Sequence, residues 1–396
     1  MSQPQLKVNG HSRDWLKRRF PWVYPNELVK GRGRPGQVVR VVGPNGGFLG
    51  VGVADTGWLA ARVYRFDEGS LDAQWMSRVV ERALALREAL IEENTTAYRL
   101  VNGESDGLPG IRVDRWGHFV CIVADTPAVG GLVPLLVAAL EEQLAPRGVY
   151  LAYRPDPRDD RDASRFHPPP GLISGRAAPG AVRVLERGLS FDVYPAEAPD
   201  VGLYTDMRDL RAWLEPRWGG ARVLNTFAFT GAFSVSAAYN GATEVVSVDL
   251  SGRYLDRAQA NFSANGLDPS GHTFVESDVF KALDRLRRTG ERFDRVILDP
   301  PSFSHSDRVW SAKRDYPRLV RAACAVLEDG GWLIAASNQG TLSPSAFRKF
   351  ILTGLRKSGC DGQLLYGATQ SGDVPALLSF PEGQYLKIGV YRVLRS

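Results

Sequence analysis

Residues 222–250 read RVLNTFAFTGAFSVSAAYNGATEVVSVDL. Two short, mostly apolar runs, RVLNTF and EVVSVDL, flank the segment GAFSVSAAYNGA, which predicts a strand, a helix and a second strand in that order. Strands that are apolar along most of their length are buried on both faces, as in a parallel sheet covered by helices. This stretch therefore predicts an α/β fold with a doubly wound sheet.

The same alternation continues to the end of the chain. Further strands are predicted at HTFVES, FDRVILD and WLIAAS, and further helices at SGRYLDRAQANFSANG, VFKALDRLRRTG, DYPRLVRAACAVL and SPSAFRKFILTGLRKSG. Ser343 followed by Pro344 is typical of a helix start, and Gly359 of a helix end. The last two runs, DGQLLYGATQ and QYLKIGVYRVLRS, predict antiparallel strands added at the sheet edge. We place this domain at residues 196–396.

The region before it differs in pattern. A length of 396 residues predicts two or three domains. In residues 37–66, short β-rich runs separated by glycine turns predict a small β-barrel, which we place in a domain covering 1–72. Residues 73–195 combine two helical segments with a hairpin, so we predict an α+β middle domain that ends in an irregular connector at 151–180.

Charge and composition limit the function classes. The chain has 49 Lys and Arg against 44 Asp and Glu, a net charge of +5, which has the sign expected of a nucleic-acid binder. Part of the surplus lies in residues 13–34, RDWLKRRFPWVYPNELVKGRGR, where basic residues alternate with aromatic ones. Such a segment can bind phosphates and stack on bases, or it can be a solvated helix end and loop. The sequence leaves both open.

The cysteines and apolar runs indicate the compartment. Cys121, Cys324 and Cys360 have neither disulfide-like nor metal-binding spacing, which predicts no metal site and is typical of a reducing cytoplasm. The N-terminus lacks the apolar core of a secretion signal, and no uncharged apolar run is long enough to span a membrane. We therefore predict a cytoplasmic protein with no membrane partner; a homodimer remains open.

Ligands of doubly wound sheets bind at the carboxyl ends of the strands, so we examined the residues that follow each strand. The first strand is followed by NTFAFTG, which includes Asn225, Thr230 and Gly231 but lacks the later glycines of a dinucleotide site. The ligand should therefore lack a pyrophosphate. Asp249 ends the second strand, where a carboxylate can bind a ribose, and Asp278 follows the third, where it can accept from an adenine. Either residue could instead be a helix N-cap, but the pair favours adenosine.

The fourth strand is followed by LDPPSFSHS. Asp299 and the two prolines after it make a stiff segment with free carbonyl groups next to Phe303. Such a wall can hold a flat base by stacking and accept hydrogen bonds from its edge. The alternative is a rigid loop without a ligand.

Five segments together resemble a known family: NTFAFTGAFSVSAAYNGATEVVSVDLS, VILDPPSFSHS, FPEGQYLK, FPWVYPNEL and NGESDGLPGIRVDRWG. They are similar to the class I S-adenosylmethionine-dependent rRNA methyltransferases that carry an N-terminal PUA domain. The resemblance implies a C-terminal Rossmann-like methyltransferase domain, a PUA-like RNA-binding domain at the start of the chain, S-adenosylmethionine as cofactor, and RNA, specifically large-subunit rRNA, as partner.

The resemblance also assigns residues to roles. It implies that residues 225–231, including Phe227, bind the methionine part of the cofactor, that Asp249 with the adjacent Leu250 binds the ribose side, and that Asp278 binds the adenine. Residues 299–303, including Asp299, Pro300 and Phe303, would line the target-base pocket. The segment VGLYTDMRDLR is similar to a Gly-x-Tyr-x-Asp-x-Arg element of the family, which places Tyr204, Asp206 and Arg208 near the cofactor.

Asn338 departs from one branch of the family. Members that methylate C5 of cytosine carry a cysteine at the strand end where this chain has ASNQG, because a thiolate must first add to C6. An asparagine amide cannot do so, which favours a ring or exocyclic nitrogen of guanine as the methyl acceptor. Asn338 would then contact the base, or it would only satisfy backbone groups. Cytosine C5 methylation, methylation of a protein or small molecule, and a non-catalytic RNA-binding or assembly factor are the alternatives.

Overall fold

The computed structural model describes residues 3–56, 58–154, 167–301 and 311–396. The chain divides into two compact units. The N-terminal unit comprises Met1–Leu185, Val193–Val201 and Gly372–Gly383, and the C-terminal unit comprises Glu186–Asp192, Gly202–Ser371 and Gln384–Ser396. The chain passes between the units within residues 185–202, close to the boundary placed at residue 196, and again at 371–372 and 383–384. The further division at residue 72 remains a prediction.

The N-terminal unit begins with a six-stranded sheet of order β2-β6-β5-β4-β1-β3. Its elements are β1 (Gln5–Val8), α1 (Gly10–Lys17), β2 (Trp22–Val23), β3 (Leu28–Lys30), β4 (Val38–Val42), β5 (Phe48–Ala54) and β6 (Ala61–Arg65). Strands β4, β5 and β6 pair antiparallel. Alternate residues such as Val39, Val41 and Val63 are fully buried, so one face of the sheet forms a core. The β-rich region predicted at the start of the chain is confirmed.

Most aromatic rings of residues 13–34 pack against other rings of the N-terminal unit. Trp22 makes edge contacts with Trp58 at 4.8 Å and with Phe380 at 4.5 Å between ring centroids, and Phe20 lies 5.6 Å from Phe380. The basic side chains around them, among them Arg18 and Arg19, are exposed. The segment therefore combines an aromatic cluster with a positively charged surface.

A second sheet of five strands, in the order β11-β10-β9-β8-β7, completes the N-terminal unit. Its elements are α2 (Ala73–Leu90), β7 (Ala97–Asn102), β8 (Ile111–Trp116), β9 (Phe119–Ala124), α3 (Val133–Leu144), β10 (Gly148–Tyr153) and β11 (Gly171–Gly175). Residues 127–144 are long and apolar enough to span a membrane by length and composition alone. In the structure, Val133, Leu136 and Leu140 of this segment are fully buried in the same core as the sheet, which explains its apolar character.

The irregular connector predicted at 151–180 is wrong for residues 151–153 and 171–175, whereas residues 176–180 form neither helix nor strand. Residues up to Tyr153 belong to β10, and Gly171–Gly175 form β11, which pairs antiparallel with β10. The sequence signal was weak because β11 contains two glycines and is mostly exposed, so that pairing with a neighbour, rather than burial, defines it. Residues 155–166 of the predicted connector lie outside the described residues.

The C-terminal unit contains a seven-stranded sheet of order β16-β15-β14-β17-β18-β20-β19, which confirms the predicted α/β fold. The hairpin β12 (Val182–Glu186) and β13 (Leu189–Val193) precedes it. The other elements are α4 (Arg208–Leu214), β14 (Arg222–Thr226), α5 (Ala232–Tyr239), β15 (Glu244–Asp249), α6 (Gly252–Ala264), β16 (Thr273–Glu276), α7 (Val279–Arg288), β17 (Phe293–Leu298), α8 (Ala312–Cys324), β18 (Leu327–Ser337), α9 (Pro344–Arg356), β19 (Cys360–Ala368) and β20 (Lys387–Arg395). Strands β14 to β18 are parallel to their neighbours, whereas β20 pairs antiparallel with both β18 and β19, as predicted.

The sheet is buried on both faces because its strands carry apolar residues at successive positions. Leu224, Val246 and Val296 pack with α7, α8 and α9 on one side. Val223 and Ile297 pack with α4 and α5 on the other. The strand order reverses next to β14, so the crossovers diverge there and open a crevice at the carboxyl ends of β14, β15 and β17.

Helices α8 and α9 are in close contact at Gly354, and a substitution there tests the packing. A Cβ atom at Gly354 would lie 2.5 Å from the Cβ of Val320 and 2.8 Å from the carbonyl oxygen of Pro317. We expect Gly354→Val to lower the free energy of unfolding by about 1–3 kcal/mol, because the helices must separate. Thermal denaturation would show this as a lower Tm. Gly271→Val is the control, since a Cβ there meets no atom within 4 Å; equal stabilities of the two variants would contradict the packing.

Candidate active site

Four strand ends meet at one edge of the C-terminal sheet. The register pairs Thr226 of β14 with Val248 of β15 and with Leu298 of β17, and Leu298 in turn with Ala335 of β18. The residues that follow these positions, among them Asp249, Asp299 and Asn338, therefore lie at the same edge. Three of the polar residues predicted from separate strand ends are thus brought to one side of the sheet.

The loop after β14 is held in an unusual backbone conformation. Phe227 and Phe229 have φ angles of 58° and 51°, in the left-handed region that side chains other than glycine rarely adopt. Each such residue costs on the order of 1–3 kcal/mol and persists only where its surroundings enforce it. Gly231 also has a positive φ, and a Cβ there would lie 2.8 Å from the Cβ of Ala258 on α6. The end of the loop is therefore packed tightly against α6.

Asp249 is the group that fixes this loop. Its Oδ2 accepts a hydrogen bond from the backbone N–H of Phe229 at 2.8 Å, and its Oδ1 accepts one from the N–H of Ser251 at 3.0 Å. Each carboxylate oxygen retains acceptor capacity for a further donor, such as a hydroxyl of a ribose. The N-cap of α6 is Ser251. The alternative that Asp249 is the N-cap of this helix is therefore wrong.

The surroundings of Asp249 fit an adenosine group. The carboxylate is half-buried and held by two backbone donors, and the next side chain, Leu250, is 63% exposed. An oriented carboxylate beside an apolar surface is the combination that a ribose with an attached base requires. The ribose contact of Asp249 and the cofactor contact of Leu250 remain predictions, which this geometry supports.

Asp278 has the alternative role that the sequence left open. It is the N-cap of α7, and its Oδ1 accepts from the backbone N–H of Lys281 at 3.1 Å. The side chain is exposed. Helix capping is thus the structural role of Asp278, and adenine binding remains a prediction.

Asn225 and Thr230 are buried inside the unit. The Asn225 side-chain amide donates to Ser234 Oγ at 2.9 Å, and Ser234 Oγ lies 2.8 Å from Ser247 Oγ, which links β14, α5 and β15. The Thr230 hydroxyl is completely buried and donates to the carbonyl oxygen of Gly202. These contacts are structural; the direct cofactor contacts predicted for the two side chains, and for the half-buried Phe227, remain predictions.

Asp299 lies beside a second carboxylate. Burial, together with the negative charge of Asp206, raises the pKa of Asp299 to about 7, against the opposing effect of Arg211. Asp206 accepts a hydrogen bond from the Tyr385 hydroxyl at 2.7 Å. The segment that contains Asp206 is held by Arg211, whose guanidinium bonds both carboxylate oxygens of Glu186, at 2.6 and 2.7 Å, and the carbonyl of Tyr204. The predicted proximity of Asp206 to the site is consistent with this electrostatic coupling.

The other residues predicted near Asp206 and Asp299 differ in how exposed they are. Arg208 is buried at the start of α4, 3.6 Å from Asp209. Tyr204 is 49% exposed, and its ring lies 5.2 Å from that of Phe229 in the loop after β14. Pro300 is buried directly after Asp299. Phe303 lies outside the described residues, so its predicted place in the base pocket stays a prediction.

Asn338 is exposed immediately after β18, at the same edge as Asp299. The backbone beside it is fixed by Lys387, whose Nζ donates to the carbonyl oxygens of Gln339 at 2.6 Å and Tyr385 at 2.8 Å. Burial lowers the pKa of Lys387 to about 8. Sequence reasoning gave Lys387 and Tyr385 no role, although both lie in the FPEGQYLK segment; a lysine next to a run of apolar strand residues was the available signal.

Tyr316 joins the ends of the two strands that carry Asp299 and Asn338. Its hydroxyl, on the fully buried side chain of an α8 residue, donates to Ala336 O at 2.8 Å and lies 3.3 Å from Leu298 O. Leu298 is the last residue of β17 and Ala336 the second-last residue of β18, so both carbonyls lie at the strand ends that precede the site. The sequence gave no signal for this contact, because it depends on where α8 packs.

The described side chains include neither a cysteine thiol at the ends of β17 and β18 nor a group of metal ligands. The three cysteines are buried at positions away from the ends of β17 and β18. Burial raises the pKa of Cys324 to about 12 and that of Cys121 well above its usual value. Within the described part of the chain, no group of three His, Cys, Asp or Glu side chains could hold a metal ion. The pKa of about 7 at Asp299 allows that carboxyl group to exchange a proton near neutral pH.

Comparisons with known proteins agree with this arrangement. Residues 170–354 match the S-adenosylmethionine-dependent methyltransferase family, and residues 6–66 match a PUA-like domain. The chain is 35% identical to a ribosomal RNA large subunit methyltransferase I of Shewanella amazonensis, over 98% of this chain and 99% of the relative. It is 33% identical to the protein of that name from Escherichia coli O139:H28, over the full length of both.

Solved structures are similar over the whole chain. A crystal structure of a protein described as a methyltransferase, complexed with SAH, has a TM-score of 0.89 and 28% identity, covering 98% of this chain and 99% of that one. A protein from Streptococcus mutans described as SAM-dependent has a TM-score of 0.86 and 27% identity, with the same coverage.

The family match and the full-length relatives show that the chain is a methyltransferase that uses S-adenosylmethionine. The predicted cofactor is thereby confirmed, as are the Rossmann-like domain and the PUA-like domain at the start of the chain. With full-length relatives above 30% identity, the chain belongs to the family of the ribosomal RNA large subunit methyltransferase I proteins.

The role of Asp249 can be tested by calorimetric titration with S-adenosylhomocysteine. We expect Asp249→Ala to weaken binding by at least about tenfold, since each hydrogen bond to a charged group contributes about 1.5–3 kcal/mol. We also expect a lower Tm, because the Phe229 N–H loses its acceptor. Asp256→Ala, which removes an exposed carboxylate from α6, is the matched control. Unchanged affinity in Asp249→Ala would remove this residue from the cofactor site.

Proposed function

We propose that the protein methylates a base of RNA, most directly large-subunit rRNA, at a ring or exocyclic nitrogen of guanine. The RNA substrate is supported by the relatives named as rRNA methyltransferases, which align over the full chain, and by the PUA-like match at residues 6–66. The exposed basic residues of the N-terminal unit, such as Arg18 and Arg19, have the charge needed to contact RNA phosphates. The guanine assignment depends on the site itself.

The observation that carries the guanine assignment is Asn338 at the end of β18. Cytosine C5 becomes nucleophilic only after a thiolate adds to C6, and the group at this strand end is an amide. The nearest cysteines in sequence, Cys324 and Cys360, are buried at the end of α8 and the start of β19. With its pKa raised to about 12, Cys324 is a thiol at neutral pH.

Methylation of a guanine nitrogen, unlike methylation of cytosine C5, requires no nucleophile from the protein. When bound, S-adenosylmethionine supplies a methyl group activated by its sulfonium sulfur. The lone pair of guanine N7 needs only to be held in line with that methyl group, whereas an exocyclic amine must also lose a proton to an acceptor. The proposal gives the Asp299 carboxylate the role of accepting that proton or of holding the base by hydrogen bonds, and its pKa of about 7 supports the first role. The Asn338 amide can both donate and accept, as the edge of guanine requires.

The experiment that tests this proposal is mass spectrometry of digested rRNA from a strain lacking the gene, beside its parent. We expect a single methylguanine to disappear, to return with the wild-type gene and to stay absent with the Asp249→Ala gene. Loss of a 5-methylcytosine instead would overturn the guanine assignment and place the nucleophile elsewhere. If no methylated base changes, the non-catalytic factor becomes the better description.

The carboxylate pair predicts how the reaction depends on pH. Because the pKa of Asp299 is about 7, its ionised fraction rises roughly tenfold between pH 6 and 8, and kcat/KM should rise with it if the carboxylate is the required form. We expect Asp299→Asn to remove this rise and to lower the rate by at least about 100-fold. Asp206→Asn removes a charge that raises the Asp299 pKa, so the rise should move to lower pH. An unchanged profile in Asp299→Asn would exclude Asp299 as the titrating group.

A further inference from the structure

The N-terminal unit contains a cavity of about 410 Å³. Its walls come from the end of β6 and the residues after it, from the first turns of α2, and from Arg19. Four of the lining residues are arginines: Arg19, Arg65, Arg78 and Arg82. None of these four arginines belongs to the candidate active site described above.

The charges in the cavity do not cancel. Its lining includes two acids, Asp67 and Glu81, against the four arginines, a formal excess of two positive charges. The Arg65 guanidinium bonds both carboxylate oxygens of Asp67, and it donates to the carbonyl of Ser70 at 2.8 Å. Arg65 is therefore held in place by its own unit, and the excess charge lies on exposed arginines.

The positions of the exposed arginines are unfavourable for the stability of the fold, through charge repulsion on α2 and a left-handed backbone at Arg19. Arg78 and Arg82 lie one turn apart on α2, where like charges cost an isolated helix about 0.2–0.5 kcal/mol. Arg19 has a φ of 65°, in the left-handed region. An anion in the cavity would offset the repulsion, because each guanidinium group could donate paired hydrogen bonds to it.

An aromatic floor accompanies the arginines. Trp75 and Tyr64 both line the cavity and are almost fully buried, with their rings edge to face at 6.0 Å. The Tyr64 hydroxyl donates to the carbonyl of Pro109 at 2.8 Å, which fixes the ring. The cavity thus has a fixed aromatic base beneath the exposed arginines.

We propose that this cavity of the N-terminal unit binds backbone phosphates of the substrate RNA. The inference rests on the proposed RNA substrate and extends it to α2, which lies outside residues 6–66 that match the PUA-like domain. Arginine is suited to this task because its planar guanidinium group matches the geometry of phosphate oxygens. The contacts carry no sequence information; they fix where the RNA lies.

The test is fluorescence anisotropy of the full-length protein with a labelled fragment of large-subunit rRNA, at several salt concentrations. We expect Arg78→Gln combined with Arg82→Gln to weaken binding at least about tenfold at low salt. The slope of log K against log salt should fall by about 1.4–1.8, as for two lost phosphate contacts. Arg78→Lys with Arg82→Lys should retain most of the slope, because the charges remain.

The matched control is Arg356→Gln combined with Lys357→Gln, which removes two exposed charges from the end of α9. If the two double glutamine variants bind RNA equally well, the cavity is not an RNA site, while the proposed function stands. A loss of affinity with an unchanged salt slope would also overturn the inference. If the wild-type protein does not bind RNA at all, the proposed function fails and this inference fails with it. Binding of S-adenosylhomocysteine should be the same in all variants, which shows that they are folded.

Discussion

The two backbone N–H groups that donate to the Asp249 carboxylate determine the shape of the candidate site. One of them, from Phe229, lies in the middle of the loop whose left-handed residues would otherwise relax. The other, from Ser251, lies at the start of α6. A single side chain thus connects the strained loop after β14 to the helix after β15. The same carboxylate that fits a ribose is therefore needed to build the surface on which the ribose would lie.

The sequence predicted the C-terminal fold well, because each of its features has a local cause. Apolar runs marked the five parallel strands, and Ser343 accepts from the N–H of Ala346 as an N-cap should. Strand β11 was missed because its glycines and exposure carry no burial signal. At the site, sequence could place Asp249 and Asp299 at strand ends. It could not show that Asp278 caps a helix, since one residue type serves both purposes.

The contacts that sequence reasoning missed all join distant parts of the chain. Tyr316 reaches the ends of β17 and β18 only because α8 packs across them. Tyr385 contacts Asp206, 179 positions earlier, and Lys387 supports the backbone after Asn338 from a strand that pairs antiparallel with β18. Periodicity and capping patterns describe neighbours along the chain, so they cannot show such contacts. The FPEGQYLK segment was informative as a resemblance before any physical role could be given to its residues.

Burial affects the two ionisable groups at the strand ends in opposite directions. It raises the pKa of Asp299, with the help of the Asp206 charge, to about 7, and it lowers that of Lys387 to about 8. An acid and a base that normally titrate far apart are thereby brought close to neutral pH, where proton transfer to or from a substrate is easiest. The shifts come from the surrounding sheet and helices rather than from the Asp-Pro-Pro sequence. A chain that kept the motif but exposed this edge of the sheet would have an ordinary, fully ionised carboxylate there, and the site's capacity to accept a proton near neutral pH would be lost.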